Sequence, residues 1–476
     1  MAAPDTPTVV IVGGGFSGAL FGLKLNRARP DWRIVVVEPK QKLGRGIAYG
    51  ACGPNHLLNV PVSRMEIGLT PGFGEWLGER RGEIADALVE SGLDLNAAYV
   101  PRRLFGDYME ERVAEALSPK ARTGLSSVRG EAVRLLDGER GVLLTDGREI
   151  KGDIVALAMG NLPPRPPGGP DRWLYDTGYF IPDPWAGGAF DDIEPDEALL
   201  LIGAGLTMVD VALRLTQEGH RGPILAVSRR GLKPRQHQGG GAWAEFLHGR
   251  IPASPLALLR LIRAEIARAE AEDVPWQRVF DAARPAVASI WNAWDDKARR
   301  QFLRHLRPRW DIHRHRVAPR IGDGIERLFA QGRLDTVAGR IKGWRDDGPV
   351  VEATLSLRGG GERTFRAGHV INCTGPGADF DKIAIPLIAD LRARKLAVAD
   401  PLGVGFETVD CAVVDAAGRP SSWLFALGPL TRPAWWEITA VPEITLQIGR
   451  LVTQLTAETA APRLTTADFL GIGEGI

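Results

Sequence analysis

Two glycine-rich turns about 190 residues apart constrain this 476-residue chain more than any other feature. The first, Gly13-Gly14-Gly15-Phe16-Ser17-Gly18, lies between the apolar run Thr8–Val12 and a helix-like stretch over 19–26. The second, Gly203-Ala204-Gly205-Leu206-Thr207-Met208, lies between 198–202 and 209–216. Runs so continuously apolar read as parallel strands buried on both faces. In each unit the first glycine permits a tight turn and the second lets backbone approach a pyrophosphate. The helix N-terminus then offers N–H groups and positive dipole. Gly18 lets helix pack closely on strand, whereas Met208 in the second unit holds them farther apart.

The strands that follow end in opposite charge. The run 33–37 closes on Glu38, 20 residues after Gly18, with Pro39 next. A carboxylate there accepts hydrogen bonds from both ribose hydroxyls and repels a 2′-phosphate. The run 223–227, after Gly219 as a helix C-cap, closes on Ser228-Arg229-Arg230. A hydroxyl beside planar guanidinium groups suits a 2′-phosphate, which favours NADPH over NADH. Solvated loop charges are the alternative for Arg229 and Arg230. Two different dinucleotides on one chain imply redox chemistry.

At this length two domains are expected. Hydrophobic residues make up 44% and charged residues 25%, the balance of a soluble globular chain. A net charge of +1 leaves no basic field for nucleic acid. Cys52, Cys373 and Cys411 are far apart and form no CxxC pair, which points to a reducing compartment and removes a dithiol relay. The start of the chain lacks a basic n-region, and glycines interrupt the apolar run 9–25. No run reaches membrane-spanning length. A cytoplasmic enzyme is the expectation.

Each nucleotide unit is followed by a β-meander and an apolar strand ending in glycine. The first meander covers 131–153 and leads to 154–160, ending on Gly160; the second covers 339–366 and leads to 370–375, ending on Gly375. A proline-rich stretch at 162–170 reads as a stiff crossover. The region 239–320 is helical in pattern, with Ser254-Pro255 as N-cap and N1, and carries Trp243, Trp276, Trp291, Trp294 and Trp310. Most of these tryptophans are expected in a core, with one or two lining a cleft. The fold expectation is therefore α/β: two Rossmann-like dinucleotide-binding domains with β-meanders and an α-helical insertion. The first domain is discontinuous, 1–185 and 376–476; the second is 190–375, with the insertion at about 239–320.

Between 299 and 320 lie eight arginines and three histidines. Arg299, Arg300 and Arg304 read as one polar helix face. Arg314-His315-Arg316 reads either as structural or as a holder of an NADPH phosphate or anionic substrate. His313 and His315 lack the carboxylates or cysteines of a metal site.

The chain resembles the two-dinucleotide flavoproteins, and closely a bacterial family of FAD/NAD(P)-binding proteins. The resemblance runs through the first turn, Gly44-Arg-Gly-Ile-Ala-Tyr-Gly50, His56-Leu-Leu-Asn-Val-Pro61 and Pro101-Arg-Arg-Leu-Phe-Gly-Asp-Tyr108. It continues through Gly203–Asp210, Arg304–Pro319 and the segment from Gly428-Pro-Leu to Glu443. More distantly it is similar to flavin-containing, Baeyer–Villiger and amine N-hydroxylating monooxygenases, and to reductases on the same pair of domains. The resemblance implies FAD in the first unit. In flavin-containing monooxygenases a GG-x-W stretch follows the ribose-binding acid and an Asn-x-Pro stretch lies beside the flavin ring. Here these read Gly44-Arg45-Gly46, without the Trp, and Asn59-Val60-Pro61. Asn59 is then the catalytic candidate, hydrogen-bonding an oxygenated flavin against loss of peroxide; a turn residue before proline is the alternative. His56 is a candidate for proton transfer, with a packed histidine as the alternative. The family's Gly-Asp is Gly428-Pro429 here, so one carboxylate is missing, and a helix over 443–452 is implied to point at the flavin pyrimidine. The Baeyer–Villiger fingerprint is only echoed, since 176–185 holds Tyr179, Phe180, Pro184 and Trp185 but no histidine.

The residues expected at the two cofactors are Gly13, Gly15, Phe16, Ser17, Gly18, Glu38, Pro39, Arg45, Gly46, Asn59, Gly160, Gly203, Gly205, Leu206, Thr207, Ser228, Arg229, Arg230, Gly375, Gly428 and Glu443. The leading expectation is an NADPH-using flavin monooxygenase acting on a small molecule with O2, N-hydroxylation of an amine foremost. A reductase passing electrons to a protein or quinone is one alternative. An FAD-bound redox sensor or interaction protein, with Trp436, Glu437 and Glu443 as packing or capping residues, is another.

Overall fold

The computed structural model describes residues 6–53, 56–121, 123–167 and 172–458. The proline-rich stretch is described as far as 167, and its residues 168–170 lie outside the described residues. Two seven-stranded sheets organise the chain. In the first, five parallel strands run in the order Pro420–Ala426, Ile154–Leu157, Thr8–Val12, Arg33–Glu38, Leu125–Arg129. In the second, Leu334–Asp346, Ile224–Ser228, Leu199–Ile202, His369–Asn372 and Phe180–Ile181 are parallel in that order.

The continuous apolar runs follow from burial on both faces. Val9 and Ile11 join one core with Leu20 and Phe21 of helix Phe16–Ala28, while Val10 and Val12 join another with Leu135 and Leu387. Leu199 and Leu201, against Leu200 and Ile202, divide in the same way in the second unit. Period-two alternation sends successive side chains to opposite faces, so both must be apolar. Met208, where the first unit has Gly18, is buried in the second unit's core.

The two meanders differ. The first forms its own three-stranded antiparallel sheet, Ala132–Leu135, Gly141–Leu144 and Glu149–Lys151. The second extends the main sheet, because Leu334–Asp346 pairs parallel with Ile224–Ser228 at its start and antiparallel with Val351–Leu357 from Gly339 onward. Phe180 and Ile181, within the expected first domain 1–185, pair with Val370 and Ile371 in the second sheet. The two crossovers run side by side, Leu162 bridging Gly377 antiparallel.

Helices Pro255–Ala271, Trp276–Ala283, Val287–Ala293, Asp296–Gln301 and Arg307–Arg314 fill the insertion. Ser254 caps the first through Ala257 N. Trp291, Trp294 and Trp310 form a core with Trp436 of the C-terminal segment, the rings of Trp291 and Trp436 stacking at 4.2 Å. The space left among them is about 10 Å³, room for at most one water. These tryptophans therefore line no substrate cleft. Among the described residues no helix is long and apolar enough to cross a membrane.

Candidate functional site

At the first turn Gly13 has φ +102°, a conformation that favours glycine, and a Cβ there would stand 2.4 Å from Ala158 O. A Cβ on Gly18 would stand 1.9 Å from Gly13 O, so strand and helix meet backbone to backbone. Helix Phe16–Ala28 begins at Gly15 with no side-chain cap and no acid in its first turn, which leaves its positive end open to an anion. Glu38 is pinned at its strand end by Gly14 N at 2.7 Å and Lys40 N at 3.2 Å. Its carboxylate keeps lone pairs free for ribose hydroxyls. Pro39 is exposed beside it. Gly46, at φ +58°, lies against Gly15, and Phe16 packs edge-on against Tyr49. Arg45 is held by Asp107 and by Glu110, the latter at 2.6 Å, so its charge is met within the protein. Gly160 and Gly375 both have positive φ and open space around them.

The second turn repeats the first in outline. Gly203 has φ +119° and faces Cys373 O, while a Cβ on Gly205 would meet nothing within 4 Å. Helix Leu206–Gln217 is likewise uncapped and free of acid in its first turn. Gly219, φ +100°, follows it just past the C-cap. Ser228 Oγ accepts from Gly231 N at 3.0 Å. Beside it opens a cleft of about 480 Å³ into which Arg229, Arg230, Arg304, Arg340 and Arg358 converge. None of the five has a carboxylate partner among the described residues. Burial, then Arg229 and Arg358, push the Arg230 guanidinium below its ordinary value. An anion in the cleft would offset that repulsion.

Sequence alone singles out Arg229 and Arg230 here but not Arg340, in strand Leu334–Asp346, or Arg358, just past strand Val351–Leu357, which reach the cleft only through the second sheet. Arg314 and Arg316 lie elsewhere. Arg314 Nε donates to Glu437 Oε2 at 2.8 Å, and Arg316 is paired with Asp281, so both are structural rather than phosphate-binding.

Between the turns lies a cavity of about 180 Å³ lined by Ile47, Ala48, Arg102, Thr207, Asn372 and Gly375 among others. Leu206 packs on the second core beside it. His56 is buried, its Nδ1 accepting from Gly53 N at 3.0 Å and its Nε2 donating to Asp210 O at 3.2 Å. Burial holds its pKa below the ordinary histidine value. Both ring nitrogens of His56 are thus engaged by backbone groups. Asn59 Oδ1 accepts from Arg102 Nη2 at 3.3 Å, and its backbone oxygen accepts from His237 Nε2 at 2.9 Å. Arg102 forms a fork with Asp210, at 2.8 and 3.1 Å. Sequence reasoning missed this pair, although both residues stand in the segments that carry the family resemblance.

The C-terminal segment closes on the first turn. Gly428, φ +77°, lies against Ser17, and its N–H is held by Gln447 Oε1 at 2.8 Å. Helix Val441–Glu458 follows, longer at both ends than 443–452. Glu443 in its first turn is clasped by Arg284 at 2.6 and 2.7 Å and touched by Arg314 at 3.3 Å. Its charge, too, is met within the protein.

Residues 10–162 match a family model described as FAD-NAD(P)-binding. No curated protein matches the chain. Among solved structures the fold is similar to an ornithine N-hydroxylase from Kutzneria sp. 744, in complex with reduced FAD, NADP+ and L-ornithine. That match has 15% identity and TM-score 0.64, covering 95% of this chain and 100% of that one. An L-lysine 6-monooxygenase from Pseudomonas syringae gives 15% and 0.64, over 95% and 99% of the two chains. A cadaverine monooxygenase bound to FAD, from Erwinia amylovora, gives 11% and 0.63, over 95% of each.

Proposed function

We propose that the chain is an FAD-dependent, NADPH-using monooxygenase that N-hydroxylates a small amine. The charge contrast between the two strand ends carries the cofactor assignment: pinned Glu38 at one, five arginines without a carboxylate partner among the described residues at the other. The residues present fit FAD in the first unit. Gly13, Gly15 and Gly18 make the close approach, the open helix end takes the pyrophosphate, Glu38 takes the ribose, and Gly428 against Ser17 closes the far side. NADPH would lie on the second helix end with its 2′-phosphate among Arg229, Arg230, Arg304, Arg340 and Arg358. When bound, FAD supplies hydride acceptance and activation of O2. Arg102 lines the cavity between the turns and donates to Asn59 Oδ1, which orients that amide, and the ion pairs of Arg284 and Arg314 with Glu443 fix the first turn of helix Val441–Glu458. The substrate class rests on solved structures of the same fold that act on ornithine, lysine and cadaverine. The missing dithiol (three unpaired cysteines, two of them buried) disfavours a disulfide reductase.

The test is turnover of the FAD-loaded chain with NADPH or NADH and ornithine, lysine or cadaverine. A hydroxylamine product formed with NADPH supports the assignment. NADPH oxidised with peroxide as the sole product across a wide amine panel points to an oxidase or reductase. Equal use of NADH and NADPH overturns the 2′-phosphate site.

A further inference from the structure

Arg102 opens helix Arg102–Leu117 in the first unit, and Asp210 lies in the helix that begins at the second glycine turn. Their side chains are 12% and 10% exposed. The guanidinium distributes its donors over three groups: both Asp210 oxygens, Leu57 O at 2.8 Å, and Asn59 Oδ1. Holding Oδ1 against an N–H fixes the amide, because flipping it would set donor against donor. Asn59 Nδ2 then remains with no partner among the described residues. His237 of the second unit holds the Asn59 backbone oxygen. One grip on Asn59 thus comes directly from the second unit, and the other from Arg102 of the first, which Asp210 of the second unit and Leu57 O hold in place.

We propose that Asp210 is a positioning residue: acting through Arg102, it fixes the Asn59 carboxamide as a hydrogen-bond donor, and does so only while the two nucleotide units are docked. Resting on the monooxygenase assignment, this links oxygen retention to docking of the nicotinamide unit. Without the Asp210 carboxylate, Arg102 is a buried cation that must seek another partner, and Asn59 Oδ1 loses its anchor.

The experiment measures the rate of peroxide release by the FAD-loaded chain given NADPH and O2 but no amine, where each NADPH oxidised yields one peroxide and only the rate can differ between variants. Asn59→Ala is expected to raise release roughly tenfold, the loss of one strong hydrogen bond. Asp210→Asn should raise it by a similar factor, and the double variant no further than Asn59→Ala alone. Unchanged release in Asp210→Asn, or a rise that multiplies that of Asn59→Ala, overturns the proposal. The paired Arg102→Gln/Asp210→Asn chain removes both charges together and guards against a variant that merely unfolds; it should match Asp210→Asn. A second readout needs no turnover: amide hydrogen exchange over 57–62 in FAD-free protein should quicken several-fold in Asp210→Asn. Unchanged exchange overturns the tie itself. If the native chain fails to oxidise NADPH, the monooxygenase assignment falls while exchange still judges the tie. If Asn59→Ala alone has no effect, the donor role is overturned.

Discussion

Arg314 Nε donates to Glu437 Oε2 across 2.8 Å, joining the helical insertion to the segment that leads into helix Val441–Glu458. Both residues are buried, and Trp310 Nε1 donates to the other Glu437 oxygen. Burial pushes the Glu437 carboxyl up, but Arg314, His315 and these hydrogen bonds outweigh it and hold the pKa below the ordinary value. Glu437 is therefore ionised at neutral pH. Glu437→Ala leaves Arg314 a buried charge with only the 3.3 Å contact to Glu443. A loss of about 3–5 kcal/mol is expected in urea unfolding. Lys151→Ala, which breaks an exposed, solvent-screened pair with Glu139, should leave the unfolding midpoint nearly unchanged. Similar costs for the two would show that the insertion is not clamped here.

The two turns differ in what a methyl group would meet, and that separates folding from binding. Gly18→Ala forces a Cβ against Gly13 O and should abolish FAD retention, read as loss of the yellow absorbance. Gly205→Ala meets open space at an ordinary φ of −90°, so melting should hold. The methyl would instead stand where backbone approaches a pyrophosphate, raising KM for NADPH by roughly tenfold. An unchanged KM would place the nucleotide elsewhere.

The turns, their strands and Glu38 were legible in the sequence because each is local. A glycine at positive φ, an apolar run and a carboxylate 20 residues on are fixed by neighbours in the chain. Arg102 and Asp210 lie 108 residues apart, and Arg314 and Glu437 lie 123 apart. Only docking of one unit on the other brings such pairs together, and no periodicity records it. Arg45 illustrates the same limit: the family motif marks it for the cofactor, yet helix Arg102–Leu117 places Asp107 and Glu110 against it. Arg304 was legible as a helix-face charge, and it lines the arginine-rich cleft because Gly339–Arg340 and Ser356–Arg358 approach it from the sheet.

Five arginines around one cleft, none with a carboxylate partner among the described residues, make anion binding there depend on salt. Raising ionic strength from about 0.05 to about 0.5 M shortens the screening length by roughly threefold. KM for NADPH should rise several-fold over that range while KM for NADH stays nearly flat. Arg229→Ala/Arg230→Ala should lower the preference for NADPH by roughly tenfold to a hundredfold, the worth of one or two charge-assisted bonds. Parallel salt curves for the two nucleotides would remove the cleft from the phosphate site.

His237 ties acid stability to the inter-unit contact. Its Nε2 donates to Asn59 O, and burial, followed by Arg316, pushes its pKa down to about 3. Asp281 opposes that shift and Arg278 adds to it. The native ring is thus neutral through the range where the unfolded chain protonates it, near 6.5. Between about pH 6.5 and 3 the unfolded state binds more protons, so this stabilisation is complete above 6.5 and is lost as pH falls. From pH 7 to 5 the loss should reach about 1–2 kcal/mol after allowance for partial solvent access. His237→Gln keeps an N–H donor for Asn59 O and has no proton to gain. Its melting temperature should therefore fall less between pH 7 and 5 than that of the native chain. Some slope will persist, because burial also holds His56, His220, His313 and His315 below the ordinary value. Identical slopes in the two proteins would mean that His237 is already free to protonate, and that its grip on Asn59 does not hold in solution.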